Sequence, residues 1–421
     1  MVGPPTGARS QTEARAGLSI DLPVAPEPKA GRSVRARATS VRQPAEAPTA
    51  PRPYSLFRRL QRAKPSWSVG VGVIGYGYWG PNLVRNFAEQ VAARVVAVSD
   101  LSVERLTQVH ARYPKVKLTT DFREVLCDAD VDAVIVATPV SSHFDIGMRA
   151  LQAGKHVLIT KPITADSEQA MQLIEAAEQR GLVLMVDHTF IYTGAVQTIK
   201  QMVESGNLGQ LYYYDSTRVN LGLFQRDVNV LWDLAVHDLA IMDYVLGRRP
   251  VAVAATGAAH VPGHHVNLAY LTCYFEGSLI THHHVNWLAP LKIRRTLIGG
   301  ARQMIVYDDL EPSEKLKVYD KGVTLADAQG ALESMIGYRT GDMWAPQLSL
   351  TEGLRVEAQH FLECVTHRRQ PLTDGPCGLR VISVLEAAAR SLAGRGQPVE
   401  LTDESPRASA TESLGGVSES A

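Results

Sequence analysis

The feature that most constrains the fold is a glycine-rich turn between a short apolar run and the start of a helix pattern. The stretch VGVGVIGYGYWGPN, residues 69–82, places Gly75, Gly77 and Gly80 in the spacing G-x-G-x-x-G. In this spacing the first glycine permits a tight turn, the second lets the backbone approach a pyrophosphate, and the third lets the helix lie close to the strand. The turn therefore predicts a Rossmann unit that binds a dinucleotide at a helix N-terminus.

An acidic residue further along the chain supports this interpretation. Asp100 ends the next strand pattern, ARVVAVSD, twenty residues after Gly80. A carboxylate there can accept hydrogen bonds from both ribose hydroxyls of an adenosine, and it repels a 2′-phosphate at close range. No arginine follows directly, since the next residues are Leu101 and Ser102. The sequence therefore predicts NAD rather than NADP as the cofactor, and capping of the next helix is the alternative role for Asp100.

The chain divides into four segments by pattern. Residues 67–188 alternate β-branched runs with helix patterns, which predicts a parallel, doubly wound sheet with helices on both faces. Residues 189–402 contain several strand patterns in series, which predicts an α+β domain with an open, mainly antiparallel sheet. The Pro/Ala/Arg-rich residues 1–66 and the last residues, 403–421, hold too few large apolar side chains to form a core, and we expect both to be disordered.

Composition excludes several classes of protein. The 43 Lys and Arg balance the 43 Asp and Glu, so the chain has no overall attraction to nucleic acid. No apolar run reaches the length of about 18 residues that a membrane span needs, and the N-terminus lacks the apolar segment of a secretory signal. The four cysteines form no C-x-x-C pair and suit a reducing compartment. We therefore expect a cytoplasmic protein that acts on a small molecule, without a nucleic-acid or membrane partner.

Two short motifs carry candidate chemistry. Lys161 follows the strand pattern KHVLIT directly and precedes Pro162, so we expect it at the carboxyl edge of the sheet, where parallel sheets bind ligands. In DLAVHD, Asp233 and His237 are four residues apart and would share one helix face. A carboxylate beside an imidazole can orient the ring and stabilise its protonated form. The alternatives are a solvated loop lysine and a surface ion pair.

In this order and at these separations, the glycine loop, ATPVSSH, TKP and D-x-x-x-H resemble the Gfo/Idh/MocA oxidoreductase family. The resemblance covers roughly residues 69–400 and implies hydride transfer between a nicotinamide and a carbon of a sugar or polyol. It implies that Lys161, Asp233 and His237 are catalytic, with either Lys161 or His237 as the base. The candidate cofactor-binding residues are Gly75, Tyr76, Gly77, Tyr78, Trp79, Gly80, Asp100, Thr138, Pro139, His143, Thr160 and Lys161. Thr160 departs from the family pattern, which has a glutamate before the lysine.

Within the family, DHTFIYTGAV and the segment from YYYDSTRVN to DYVLG look like the nucleotide-sugar branch. This branch includes UDP-N-acetylhexosamine and hexosaminuronate 3-dehydrogenases of surface-polysaccharide synthesis. The candidate substrate-binding residues are Lys161, Tyr192, Arg218, Asn220, Gln225, Arg226, Asn229, Trp232, Asp233 and His237. The alternatives are a keto-sugar reductase, a dehydrogenase of free sugars or polyols, and a non-catalytic NAD-binding regulator. The open sheet face predicts a homodimer or homotetramer.

The histidine-rich stretches HVPGHH and HHH invite a metal site, which we do not predict. In a strand, His282 and His284 share one face and His283 takes the other. No nearby carboxylate or cysteine completes a ligand set. We therefore expect these histidines to be part of the sheet.

Overall fold

The computed structural model describes residues 68–401, apart from residues 223, 225–227 and 327–334. The predicted tails, 1–66 and 403–421, therefore lie outside the described residues, as do Gln225 and Arg226. None of the helices in the described part of the chain combines the length and the apolar character that a membrane span requires.

Strands and helices alternate in the first part of the chain, and strands then follow one another in series, as the sequence predicted. The strands are Val69–Ile74 (β1), Ala93–Ser99 (β2), Lys117–Thr119 (β3), Ala133–Val136 (β4), His156–Thr160 (β5), Leu184–Asp187 (β6), Leu211–Leu221 (β7), Ala252–Ala258 (β8), Leu268–Tyr274 (β9), Ile280–Asn286 (β10), Leu288–Gly300 (β11), Met304–Asp308 (β12), Leu316–Ala326 (β13), Met335–Trp344 (β14) and Val399–Glu400 (β15). The helices are Gly80–Ala88 (α1), Val103–Arg112 (α2), Phe122–Cys127 (α3), His143–Gln152 (α4), Ser167–Arg180 (α5), Gly194–Glu204 (α6), Val236–Leu246 (α7), Gly353–His367 (α8) and Gly375–Ala393 (α9). A π-helical turn, Leu231–Ala235, leads directly into α7.

The first sheet has six parallel strands in the order β3-β2-β1-β4-β5-β6. Its central strands are buried along their whole length, because helices cover both faces and leave no polar side to the β-branched runs. The strand order reverses between β1 and β4, and the crevice at such a reversal is where open α/β sheets bind ligands. The turn after β1, the loop after β4 and the end of β5 all open onto this edge.

The second sheet has nine strands in the order β14-β13-β12-β11-β7-β10-β9-β8-β15. Neighbouring strands are antiparallel except β7 and β10, which run parallel. One face is buried, as the alternation of buried and exposed residues along β9 shows, and the other face is open. The predicted α/β fold with a parallel sheet and a mainly antiparallel second sheet is confirmed. The hairpin of β13 and β14 was not predicted.

The histidines of β10 lie in the second sheet as expected. His283 is fully buried and its Nδ1 lies 2.7 Å from the Ser216 hydroxyl, whereas His282 and His284 lie on the open face. The His284 ring stacks on Tyr270, with 4.5 Å between the ring centroids. Among the described residues, no three His, Cys, Asp or Glu side chains are grouped as a metal site would require.

Candidate active site

The glycine loop has the geometry that its sequence requires. Gly75 has a φ of +99°, and a Cβ on it would lie 2.4 Å from the carbonyl oxygen of Ala137 in the loop after β4. A Cβ on Gly80 would lie 2.4 Å from the carbonyl oxygen of Gly75. Neither position therefore tolerates a side chain, because the turn and the helix start meet at backbone contact distance.

Gly77 differs from its two neighbours, because the surrounding protein does not require a glycine there. The nearest atom to a Cβ built on Gly77 is Nη1 of Arg105, at 3.8 Å. Helix α1 starts behind this space, and Trp79 at its N-cap makes no side-chain capping bond. Pro81 has no N–H, and the N–H of Asn82 already bonds the carbonyl of Trp79, so the helix offers an anion mainly the positive end of its dipole. The open space and this helix end fit the pyrophosphate of a dinucleotide.

The aromatic side chains of the loop point in three directions. Tyr76 is buried in the core, and Tyr78 is 91% exposed. The Trp79 indole Nε1 donates a 2.6 Å hydrogen bond to Asp187 at the end of β6. Asp187 also accepts a hydrogen bond from the Thr189 hydroxyl. The loop is thus fastened to the far edge of the first sheet, a contact that the sequence did not indicate.

Asp100 is held against the glycine loop. One carboxylate oxygen accepts a 2.6 Å hydrogen bond from the backbone N–H of Tyr76, and the other accepts one from Ser102 at 2.8 Å. The side-chain cap of α2 is Ser102, so Asp100 does not have the alternative capping role. Arg105, in the first turn of α2, brings its guanidinium to 3.4 Å from the carboxylate. The inference from a missing adjacent arginine therefore overlooked Arg105, which folds back onto the site.

The loop after β4 is tied to the turn that carries Lys161. The two ring nitrogens of His143 lie 2.8 Å from the carbonyl oxygens of Thr138 and Pro162. Burial lowers the pKa of His143, although these carbonyls oppose the shift. The Thr160 hydroxyl donates to the carbonyl of Val136 within the sheet. The side chains of His143 and Thr160 therefore bind protein groups and position the loops, and Thr138 and Pro139 line the same edge.

The structure brings Lys161 and Asp233 together. The ammonium of Lys161 lies 3.0 Å from the backbone carbonyl of Asp233 and 3.4 Å from its Oδ1. The other carboxylate oxygen, Oδ2, accepts a hydrogen bond from the indole Nε1 of Trp287 at 3.1 Å. Lys161 comes from the end of β5 and Asp233 from the turn before α7, so this contact joins the first sheet to the helical segment before α7. Trp287 is a site residue that the sequence analysis missed.

His237 lies beside this pair but does not have the predicted partner. Among the described residues, its buried Nδ1 has no hydrogen-bond partner, and Asp233 is bonded to Lys161 and Trp287 instead. The expectation of a shared face assumed an α-helix, whereas Leu231–Ala235 is π-helical and changes the angular spacing of the two residues. Burial, and after it the charge of Lys161, holds the pKa of His237 well below its usual value, so the ring is neutral at pH 7.

Arg218 and Tyr192, both predicted to bind substrate, lie in the interior. Arg218 is 4% exposed and forms a bidentate ion pair with Asp238, with N–O distances of 2.8 and 2.9 Å. Tyr192 is 2% exposed, and its hydroxyl lies 3.1 Å from that of Thr373. Both side chains lie in the interior and bond protein groups there, although Nη1 of Arg218 has no partner among the described residues. Their contact with a substrate stays a prediction.

The remaining substrate candidates lie around the π-helical turn. The Asn229 side chain accepts hydrogen bonds from the backbone N–H groups of Leu231 and Trp232, so it caps the turn. Trp232, within the turn, and Asn220, near the end of β7, are half-buried. Arg294 is a further cation that the sequence analysis missed. Its guanidinium lies 5.5 Å from the centre of the Phe190 ring, and the His237 ring packs edge-on against the same phenyl group.

Comparison with known proteins identifies the class of enzyme that this arrangement resembles. Residues 69–188 match the family described as oxidoreductase family, NAD-binding Rossmann fold, and residues 196–306 match the GFO/IDH/MocA C-terminal domain. The chain is 31% identical over 328 residues to a UDP-N-acetylglucosamine 3-dehydrogenase of Acidithiobacillus ferrooxidans, an alignment that covers 74% of this chain and 93% of that one.

Two further comparisons extend the match. A scyllo-inositol 2-dehydrogenase (NAD(+)) of Bacillus subtilis is 26% identical over 351 residues, covering 79% of this chain and 95% of that one. A solved structure of the Acidithiobacillus ferrooxidans UDP-N-acetylglucosamine 3-dehydrogenase superposes with a TM-score of 0.65 at 26% identity, covering 78% of this chain and 99% of that one. The similarity thus spans both sheets and includes relatives that act on nucleotide sugars and on polyols.

Proposed function

The chain belongs to the Gfo/Idh/MocA family of NAD-binding oxidoreductases, and from that premise we propose that it is a nucleotide-sugar 3-dehydrogenase acting on a UDP-N-acetylhexosamine. The observation that carries the proposal is the contact of Lys161 with Asp233, with His237 beside it. Oxidation of a secondary alcohol requires a group that takes the hydroxyl proton and a positive charge that stabilises the developing alkoxide. A neutral imidazole and an ammonium group can supply both.

Each proposed catalytic residue has a role that follows from its contacts. His237 accepts the hydroxyl proton, because its ring is neutral and a ring nitrogen with a free lone pair is available. Lys161 stabilises the alkoxide with its charge. Asp233, itself held by Trp287, positions the ammonium group rather than the imidazole. Bound NAD supplies the hydride acceptor.

The proposed cofactor contacts are those of the glycine loop and its surroundings. The backbone around Gly77 and the N-terminus of α1 bind the pyrophosphate, and Asp100 binds the adenosine ribose. The side chain of Tyr78 is free to cover the cofactor from the solvent side. We place the boundary between the Rossmann domain and the substrate domain after residue 188, at the end of the first sheet.

The nucleotide-sugar class is supported by the relative from Acidithiobacillus ferrooxidans, whose alignment covers 74% of this chain. Asn220, Trp232 and Arg294 are half-buried candidates for contact with a substrate, and Arg294 also forms an ion pair with Asp309. A polyol dehydrogenase is the second candidate, and the Bacillus subtilis relative supports it.

A substrate panel tests the proposal. We expect UDP-N-acetylglucosamine or a related UDP-sugar to produce NADH absorbance with NAD, and free hexoses and inositols to produce at least about tenfold less. With NADP, cofactor affinity should fall by about fivefold, because repulsion between the Asp100 carboxylate and the 2′-phosphate costs about 1 kcal/mol where water screens the two charges. The guanidinium of Arg105, 3.4 Å from that carboxylate, reduces this repulsion. A variant that lacks the Lys161 ammonium serves as the inactive control. Turnover of an inositol in preference to every UDP-sugar would replace the nucleotide-sugar assignment with the polyol one.

We also propose that the chain forms a homodimer or homotetramer through the open face of the second sheet. Tyr270, Tyr274, Ile280 and Leu297 project from this face and are exposed. Exposed apolar side chains on one face of a sheet are typical of a protein–protein interface. Light scattering coupled to size-exclusion chromatography should give two or four times the mass of the chain. A monomeric mass at micromolar concentration would contradict the proposal.

A further inference from the structure

Asp187 is a buried carboxylate whose two oxygens bond different segments of the candidate site. The residue ends β6 and is 3% exposed. One oxygen accepts a 2.6 Å hydrogen bond from the indole Nε1 of Trp79, and the other accepts one from the Thr189 hydroxyl. Hydrogen bonds to an ionised acceptor are roughly twice as strong as those between neutral groups, so both donors are held firmly. The proposed mechanism assigns no role to this carboxylate.

The contact with Trp79 restrains the loop that receives the cofactor. Trp79 lies between Gly77 and Gly80 at the N-cap of α1, beside the open space in which we place the pyrophosphate. The sheet order puts β4 and β5 between β1 and β6, so the contact joins elements at the ends of strands about 14 Å apart. A turn with three glycines has unusual conformational freedom, because these residues lack a Cβ. The bond to Asp187 reduces that freedom before NAD binds.

The contact with Thr189 restrains a turn on the other side of the site. Thr189 begins a short 3₁₀ helix that follows β6. Phe190, the next residue of this helix, packs edge-on against the His237 ring, with 5.1 Å between the ring centroids. Asp187 is therefore linked to the proposed proton acceptor through two consecutive residues.

We propose that Asp187 is a positioning residue for hydride transfer. Through Trp79 it holds the glycine loop, and through Thr189 it holds the turn that packs against His237. The transfer requires the nicotinamide and the substrate carbinol to meet with about 3–3.5 Å between the reacting atoms. The glycine loop places the cofactor, and His237 receives the hydroxyl proton of the substrate. One carboxylate bonded to both segments keeps the separation of these two groups constant.

The first test concerns the cofactor alone and needs no sugar, whereas the turnover measurements rest on the proposed function. Trp79→Phe keeps an aromatic ring and removes the N–H donor. Dissociation constants of NAD and of ADP-ribose are measured by calorimetry on the full chain. We expect both to rise by about tenfold, because the ligand then has to order the loop itself and both ligands carry the pyrophosphate.

The second test separates the two contacts of Asp187. Asp187→Ala removes both acceptors, so NAD affinity should fall as in Trp79→Phe, and kcat at saturating NAD should fall by about tenfold and further than in Trp79→Phe. Combining Asp187→Ala with Trp79→Phe should weaken NAD binding no further than Asp187→Ala alone, because both changes remove the same hydrogen bond. Asp187→Asn keeps one acceptor oxygen and should recover part of the loss.

Asp132→Ala is the matched control. Asp132 accepts a 2.7 Å hydrogen bond from the backbone N–H of Gly70 at the amino edge of the same sheet, away from the crevice. Its loss should lower the thermal midpoint and leave kcat and the dissociation constant of NAD unchanged. A merely structural role of Asp187 predicts the same behaviour for Asp187→Ala.

Two outcomes would overturn the inference. Unchanged affinity of Trp79→Phe for NAD and ADP-ribose would mean that the indole contact does not prepare the loop. An unchanged kcat of Asp187→Ala would mean that the turn is positioned without the carboxylate. If Asp187→Ala does not fold, as judged by circular dichroism, Asp187→Asn and Trp79→Phe provide the same two readouts. A failed substrate panel would contradict the proposed function and leave the binding results as the test of this inference.

Discussion

Replacing Lys161 by methionine should lower kcat by about 10²- to 10⁴-fold while leaving the dissociation constant of NAD within about twofold. Methionine keeps most of the side-chain length and removes the charge that the mechanism requires at the alkoxide. Cofactor binding should persist, because the proposed contacts for the pyrophosphate and the ribose come from the glycine loop and Asp100. Turnover is measured as NADH absorbance at saturating NAD and sugar, and NAD binding by calorimetry.

Two companion variants make the Lys161 result interpretable. Lys115→Met removes an exposed lysine just before β3 and should leave kcat and the dissociation constant of NAD unchanged. Lys161→Arg keeps a positive charge that does not dissociate, so partial turnover is expected if Lys161 acts through its charge and none if it acts as the base. Turnover of Lys161→Met close to that of the original protein would remove Lys161 from the mechanism.

The contacts of Asp233 differ from those expected of a residue that orients His237. A carboxylate oriented toward His237 would raise the affinity of the imidazole for a proton, whereas Asp233 instead lies against the Lys161 ammonium. In the proposed mechanism the Lys161 ammonium is held by Asp233, which accepts a hydrogen bond from Trp287, and the proposed proton acceptor, His237, stays neutral. Asp233, in the turn before α7, therefore positions Lys161 of the first sheet rather than His237 of its own helix.

The parts of the site that the sequence predicted depend on short-range backbone geometry. The turn at Gly75 excludes any side chain, and Lys161 occupies the end of a parallel strand, so both could be placed from local pattern alone. The same applies to the alternation of strands and helices in the first sheet and to the facing of His282 and His284 in β10. In each case a periodicity of two, or a forbidden backbone conformation, decides the position.

The parts that the sequence could not predict depend on contacts between distant elements or on irregular backbone. Helix α2 starts three residues after Asp100, and its first turn brings Arg105 back to within 3.4 Å of the Asp100 carboxylate. The search for an arginine directly after Asp100 could not detect this contact. The π-helical turn separates Asp233 from His237 in angle although their numbering suggests one face. On β7, alternation puts Arg218 on the same side as Tyr214 and Ser216, but the polarity of this face gives no sign that it is buried. Its partner, Asp238, lies twenty residues further along the chain, so the sequence pattern does not indicate that the two side chains pair.

Removing Asp238 should destabilise the protein more than any other single change considered above. Asp238→Ala would leave the guanidinium of Arg218 buried without its counter-ion, since both side chains are about 95% removed from solvent and share two hydrogen bonds. Loss of one partner of such a pair costs about 3–5 kcal/mol, because the remaining charge is neither solvated nor paired. The loss is read as a lower free energy of unfolding in urea, and as a lower thermal midpoint.

A double variant and a surface variant separate this explanation from a general loss of packing. Asp238→Leu combined with Arg218→Met replaces both charges by apolar groups of similar volume and should recover most of the lost stability. Asp145→Ala removes an acid from an exposed i,i+4 pair with Arg149 and should cost at most about 0.5 kcal/mol. If Asp238→Ala costs no more than Asp145→Ala, the pair contributes little to stability, and Arg218 becomes free to be considered as a ligand for the diphosphate of the substrate. The stability measurement therefore also decides whether Arg218 belongs to the core or to the substrate site.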